Sequence, residues 1–262
     1  MTLDSADFDS TVRRRSSRRG YEDDHDSEPR ARTHESGSPL PTNRAVLGLT
    51  VAVALVPFLA LSALVTGGWS PLLTADATIA ERLYERVHPD PAFAHGLEIW
   101  TELFGTWAMR IVSLLAAAWL VFRRQFATAA WACAAVFTAN LLGLVVKLTV
   151  DRARPEFADP ILVGVGPSFP SGHALMATTG MGIALFAALP LLRGAMRHVA
   201  CWVAIGIAMS TALSRPMLGV HWFSDIFAGV SLGIVALALT MLAWTYLPPV
   251  ARRWDRESAN WR

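Results

Sequence analysis

The chain is short of charge. Only 17% of its 262 residues are Asp, Glu, Lys or Arg, against about 25% in soluble domains. The shortfall is uneven: residues 1–44 are polar and most of the remainder is apolar. That contrast excludes an ordinary soluble domain and points to a membrane protein. Cysteine is scarce too. Cys133 and Cys201 both lie inside apolar runs, so they read as buried free thiols and argue against a disulfide framework or a cysteine metal site. Lysine is almost missing, since Lys147 is the only one among 23 basic residues. Against that bias it marks a position where arginine does not serve. A net charge of +2 is too small to predict a nucleic-acid partner. No secretory signal peptide is visible. The first apolar run begins near residue 45 behind a long polar tail, which suits a signal anchor better than a cleaved signal.

What is present is a set of long apolar runs. Residues 1–43 are rich in Ser, Arg, Asp, Glu and Pro and are expected to be a disordered tail, because they have too little apolar surface to fold. Its basic block (Arg13 to Arg15, Arg18, Arg19) reads either as a lipid-surface contact or, more simply, as solvated charge. Six apolar segments follow, near 45–66, 104–122, 126–146, 173–192, 197–213 and 225–247. About 20 apolar residues cross a ~30 Å hydrocarbon core as a helix. The fold expected is therefore all-α: a polytopic six-helix transmembrane bundle over about 44–250, with a C-terminal tail at 251–262. Arg110, alone in the second span, reads equally as a residue that snorkels from the outer half of its helix toward the interface and as a functional one. The ten tryptophans read most simply as an interfacial belt.

Loop charge sets an orientation. Arg44, the Arg123-Arg124 pair, Arg193 and Arg197, and Arg252, Arg253 and Arg256 all fall on one side of six alternating spans. The positive-inside rule makes that side cytoplasmic, with both termini. The long loop at about 67–103 then lies outside, and reads as one or two amphipathic helices on the membrane surface.

The other two outer loops break the rule, since they carry Arg152 and Arg154, and Arg215, beside Lys147 at a span's end. Charge placed against the rule at the ends of apolar helices is a functional hint. Lys147 has one simple partner, Asp151, four residues on. The alternative is that Lys147, Arg154 and Arg215 converge on a bound anion. Lys147 and Arg154 are seven apart and share a face if the helix runs that far, to a stop at Pro155. In Pro170-Ser171-Gly172-His173, just before the fourth span, Ser171 is a good N-cap and the helix start a ready anion site. His221 and Asp225 are four apart, so on a helix they meet on one face. The carboxylate can then hold Nδ1–H and leave Nε2 free to attack.

Together these segments resemble the signature of the type-2 phosphatidic acid phosphatase superfamily: Lys-x6-Arg-Pro, Pro-Ser-Gly-His, and Ser-Arg-x5-His-x3-Asp. Here every signature position is filled, by Lys147, Arg154, Pro155, Pro170, Ser171, Gly172, His173, Ser214, Arg215, His221 and Asp225. The resemblance covers about residues 50–247. It implies a membrane lipid phosphatase in which His221 becomes a phosphohistidine and Asp225 orients it. His173 donates a proton to the leaving oxygen and then activates water. Lys147, Arg154, Ser171, Gly172 and Arg215 hold the phosphoryl oxygens. It implies no cofactor and no metal, and three nearby cations would in any case repel a metal ion. The partners expected are the membrane and a lipid phosphate: polyprenyl diphosphate first, then phosphatidic acid or phosphatidylglycerophosphate. The oligomeric state is left open. Two other classes compete. Vanadate-dependent haloperoxidases share the phosphate pocket but are soluble. A lipid transporter or lipid-binding protein would need charge along a path, whereas here it clusters at one end.

Overall fold

The structure is a computed structural model and describes residues 43–246. The expected tails, with Arg252, Arg253 and Arg256, lie outside the described residues. Those residues form α1 (Arg44–Thr66), α2 (Ser70–Val87), α3 (Pro91–Leu103), α4 (Thr106–Phe122), α5 (Phe126–Val150), α6 (Gly172–Ala188), α7 (Ala195–Met217) and α8 (Phe223–Tyr246), with a short 3-10 turn at Leu189–Leu191. No strand occurs among them. Six segments are long and apolar enough to cross a membrane: α1, α3 with α4, α5, α6 with its 3-10 turn, α7 and α8.

Local chemistry sets the helix ends. The Asn43 side chain accepts the N–H groups of Ala45 and Val46 to start α1, and Asp90 caps α3 through the Phe93 N–H. Ser171 caps α6, accepting from Ala174. The second span is broken where Gly105 sits between α3 and α4. The loop expected at 67–103 is two helices, α2 and α3. On α2 the buried residues Asp76, Ala80 and Val87 recur at helical spacing and form one inward stripe.

Helix α8 is the hub of the bundle, packed on α1, α5 and α6. Its approach to α6 is close because Gly229 and Gly233 carry no side chain. A Cβ at Gly229 would lie 2.6 Å from the Ser171 carbonyl oxygen, and one at Gly233 would lie 2.9 Å from the Thr178 side chain. Two small residues four apart are a familiar means of close helix contact in lipid. Here they bring the start of α6 beside the start of α8, where the Ser171 N–H donates to the Asp225 carbonyl at 3.0 Å. Phe58, Met109, Phe169, Met176 and Leu232 form a core cluster near that end, and Trp131, Ile183 and Met241 form a second.

Large apolar side chains cover much of the outer surface, among them Val53, Leu115, Phe137, Leu148 and Trp202. Patches of that extent suit lipid rather than water. This surface corrects two expectations. Cys133 is exposed and Cys201 half-buried, because an apolar run here faces lipid as often as the core. Conversely Trp131 is fully buried, set edge-on to Phe186, so it is no belt residue.

Candidate active site

Four helix ends meet at one place. Lys147 comes from the last turn of α5, His173 from the first turn of α6, Arg215 from the last turn of α7, and Asp225 from the first turn of α8. Arg154 and His221 come from the connecting segments. A cavity of about 450 Å³ is lined by Lys147, Arg154, Gly172, His173, Arg215 and His221, and it extends to Glu102, Arg110 and Asn140. Every predicted phosphate-binding residue except Ser171 lines it. Ser171 is fully buried behind the wall, where its hydroxyl caps α6.

Two details differ from the helical expectation. Helix α5 stops at Val150, because Asp151 adopts a left-handed conformation (φ 42°), which a short polar side chain tolerates better than most. Arg154 therefore reaches the cavity from a loop and not from the Lys147 face. His221 likewise precedes α8, and only Asp225 is helical. The pair forms nonetheless, with Nδ1 3.3 Å from an Asp225 carboxylate oxygen. The same oxygen accepts the Trp222 N–H at 3.0 Å, which fixes the turn that carries the histidine.

His221 is only 2% exposed. Burial pushes its imidazole down to about 4, with Arg154 and Arg215 adding to the effect and Asp225 opposing it. The ring is therefore neutral at ordinary pH. With Nδ1–H directed at Asp225, the lone pair is on Nε2, and an Arg154 Nη lies 3.2 Å from it. Backbone carbonyls of Val165, Gly166 and Val220 hold the rest of that guanidinium. Lys147 does not pair with Asp151; its Nζ donates to the Pro167 carbonyl at 2.7 Å. Arg215 is 6% exposed, and its one described side-chain hydrogen bond is a long one, to Thr101 of α3, at 3.4 Å. Its Nε has no partner. None of these three cations is ion-paired among the described residues.

Sequence reasoning missed a network behind the site. Arg152 donates to Asp225 at 2.7 Å, to Ser224 Oγ at 2.8 Å and to Asp76 at 2.8 Å. Asp76, on α2, is 2% exposed and also accepts the Ser224 N–H at 2.9 Å and the Ser224 hydroxyl. Trp222 lies under the Arg152 guanidinium and donates its indole N–H to Ala153. The sequence signals were Arg152, set against the loop-charge rule, and a charged position on the apolar stripe of α2, and nothing there pairs the two. Gly105 adds a steric condition, since a Cβ at that position would approach the His173 ring to 3.1 Å.

The same helices carry the resemblance to known proteins. A profile of the PAP2 superfamily matches residues 128–248. Phosphatidylglycerophosphatase B of Bacillus subtilis is 34% identical over 104 residues, 39% of this chain and 51% of that protein. The match thus spans about half of that relative's length. A decaprenylphosphoryl-5-phosphoribose phosphatase of Mycobacterium tuberculosis is 34% identical over 154 residues, 56% of this chain and 77% of that one. Among solved structures, a transmembrane PAP2-type phosphatidylglycerolphosphate phosphatase from Bacillus subtilis superposes with a TM-score of 0.64 at 24% identity. That superposition covers 73% of this chain and 94% of that one, and it supports the fold alone. With one relative matched over most of its length at that identity, and with the profile lying on the helices that build the cavity, the chain belongs to the PAP2 superfamily as an all-helical, membrane-spanning member.

Proposed function

We propose that this chain is a phosphatase acting on a lipid phosphate or diphosphate at the extracytoplasmic face of the cell membrane. The observation that carries this reading is the neutral, carboxylate-held His221 facing three cations without acidic partners in one cavity. His221 Nε2 attacks phosphorus as the bond to the lipid oxygen breaks, and His173 gives that oxygen its proton. Water, activated by His173, then cleaves the phosphohistidine and releases inorganic phosphate. Phosphoryl transfer asks chiefly for positioning and for neutralised charge on the equatorial oxygens. Lys147, Arg154 and Arg215 supply that charge. The Gly172 N–H, on the helix that Ser171 caps, adds a donor.

The sidedness rests on loop charge. Arg44 is tied to the far end of α8 through the Thr245 carbonyl at 2.6 Å. Arg123, Arg124 and Arg193 sit in links that connectivity puts at that same end, opposite the cavity. The positive-inside rule makes that end cytoplasmic. Among substrates, polyprenyl diphosphate ranks first, followed by phosphatidylglycerophosphate and phosphatidic acid. The test is phosphate release from each lipid in detergent with a chelator present, for wild type and His221→Ala. Release in wild type and its loss in the variant are expected. Unchanged release in the variant overturns the nucleophile, and complete loss in chelator overturns the metal-free chemistry.

A further inference from the structure

Arg110 is held by specific neighbours. Its Nε donates to Asn140 Oδ1 at 3.0 Å, a second guanidinium nitrogen donates to the same oxygen, and the group lies over Trp107 at 4.6 Å from the ring centre. Asn140 is fixed in turn, its amide donating to the Val136 carbonyl at 2.8 Å. All these partners are neutral. No carboxylate pairs with Arg110 among the described residues, and Nη1 has no hydrogen-bond partner there. An unpaired cation within a span is costly, and such residues line sites or pathways.

Its position is specific. Arg110 and Asn140 line the same cavity as His173, His221 and the three cations. Arg110 is one turn into α4 from Thr106, and Asn140 is two turns back along α5 from Lys147, about 10 Å at 1.5 Å per residue. Helical side chains lean toward the helix N-terminus, and Arg110 does so, since its guanidinium lies over Trp107, three residues earlier. It thus points from the membrane interior back toward the reacting phosphate.

Charge counts the same way. A phosphate monoester carries about −1.5 to −2, which Lys147, Arg154 and Arg215 already exceed. Arg110 is a fourth cation, and Glu102 is the only acidic residue lining the cavity. The surplus positive charge lies beside Asn140, two turns from Lys147 along α5.

We infer that Arg110, braced by Asn140 and Trp107, is a second anion site that takes the phosphate remaining on the lipid after hydrolysis, so that this enzyme selects lipids with two phosphoryl groups over monophosphates. The inference rests on the phosphatase reading above and narrows its substrate class. Arg110 is a specificity residue; His221 and His173 act on the other phosphate.

The test measures kcat/KM on the full-length protein in detergent for two matched pairs. These are phosphatidylglycerophosphate against phosphatidic acid with the same acyl chains, and polyprenyl diphosphate against its monophosphate. Wild type should prefer the first of each pair. Arg110→Gln should lower kcat/KM on the two-phosphate lipids about 10- to 100-fold, the range for a charged hydrogen bond, and change it less than about threefold on the monophosphates. Arg110→Lys should restore most of the loss. Asn140→Asp, which neutralises Arg110 in place, should reproduce it, and this variant decides the matter if Arg110→Gln does not fold. Equal losses on both members of a pair, or no loss on the two-phosphate lipids, overturn the second site. Wild-type inactivity on all four lipids would instead overturn the phosphatase reading itself, and full activity of His221→Ala would overturn only its nucleophile.

Discussion

Two groups of charge, buried or half-buried, lie back to back at the end of this bundle, and they are built on opposite plans. Behind His221, Asp76, Arg152 and Asp225 alternate in sign, and each carboxylate is bonded to several donors. In front of it, Lys147, Arg154 and Arg215 meet carbonyl oxygens, a hydroxyl or an imidazole nitrogen, and never an acid among the described residues. The first group is complete without a ligand. The second is not, and one guanidinium nitrogen of Arg215 is left unbonded. Buried pairs are costly to break, whereas clustered like charges repel and favour an anion between them. The contrast separates scaffold from ligand site by charge arithmetic alone.

Substitutions can break the contrast. Asp225→Asn removes the joint between the two groups and the hold on the His221 tautomer. It should lower kcat about 10³- to 10⁴-fold, as loss of an orienting carboxylate does in other histidine enzymes. Asp76→Asn strips one carboxylate from Arg152 inside the protein and should cost about 3–5 kcal/mol of stability, read from thermal unfolding in detergent. The protein that remains folded should keep its KM. Arg215→Ala should do the reverse: phosphate release falls about 10²- to 10³-fold, while the unfolding midpoint holds or rises, because a cation without an acidic partner is removed and only the long hydrogen bond to Thr101 is lost. If Arg215→Ala destabilises as much as Asp76→Asn, the contrast fails.

A ligand sharpens it. Inorganic phosphate at about 100 times its Kd should stabilise wild type by about 2.7 kcal/mol, and much less in Arg215→Ala. The smallest effect is in the His221 ring. Its proton affinity is lowered by burial, so the neutral form persists as pH falls below 6.5 and the ring titrates only near 4. Within that window, as pH falls from 6.5 to about 4, the unfolded chain binds the proton first and stability is lost; below about 4 the loss is complete. Histidine-labelled NMR, with the resonance assigned by its loss in His221→Ala, should show this; titration at 6 to 7 would contradict it.

Much of this was legible in the sequence, for physical reasons. Spans show because lipid demands about 20 apolar residues. Arg154, His173, Arg215 and His221 show because charge is otherwise excluded from such segments. What stayed hidden depends on partners distant along the chain. Asp76 and Ser224 are 148 residues apart, and no local pattern joins them. Nothing local says what Arg110 meets, and its partner Asn140 is 30 residues on. The end of α5 turns on the backbone angle of one aspartate, where periodicity alone carries the helix on to Pro155.

The contact between Asp76 and Ser224 bears on how small a working version of this protein can be made. The family profile begins at residue 128, which invites trimming down to it. Such a fragment would keep the residues proposed to hold phosphate and lose Asp76, which the first turn of α8 leans on, and Thr101, to which Arg215 donates. For the same reason, grafting the first hundred residues from a relative is not a neutral swap of packaging. The donor must bring a carboxylate to this one point, or the recipient's histidine loses its footing.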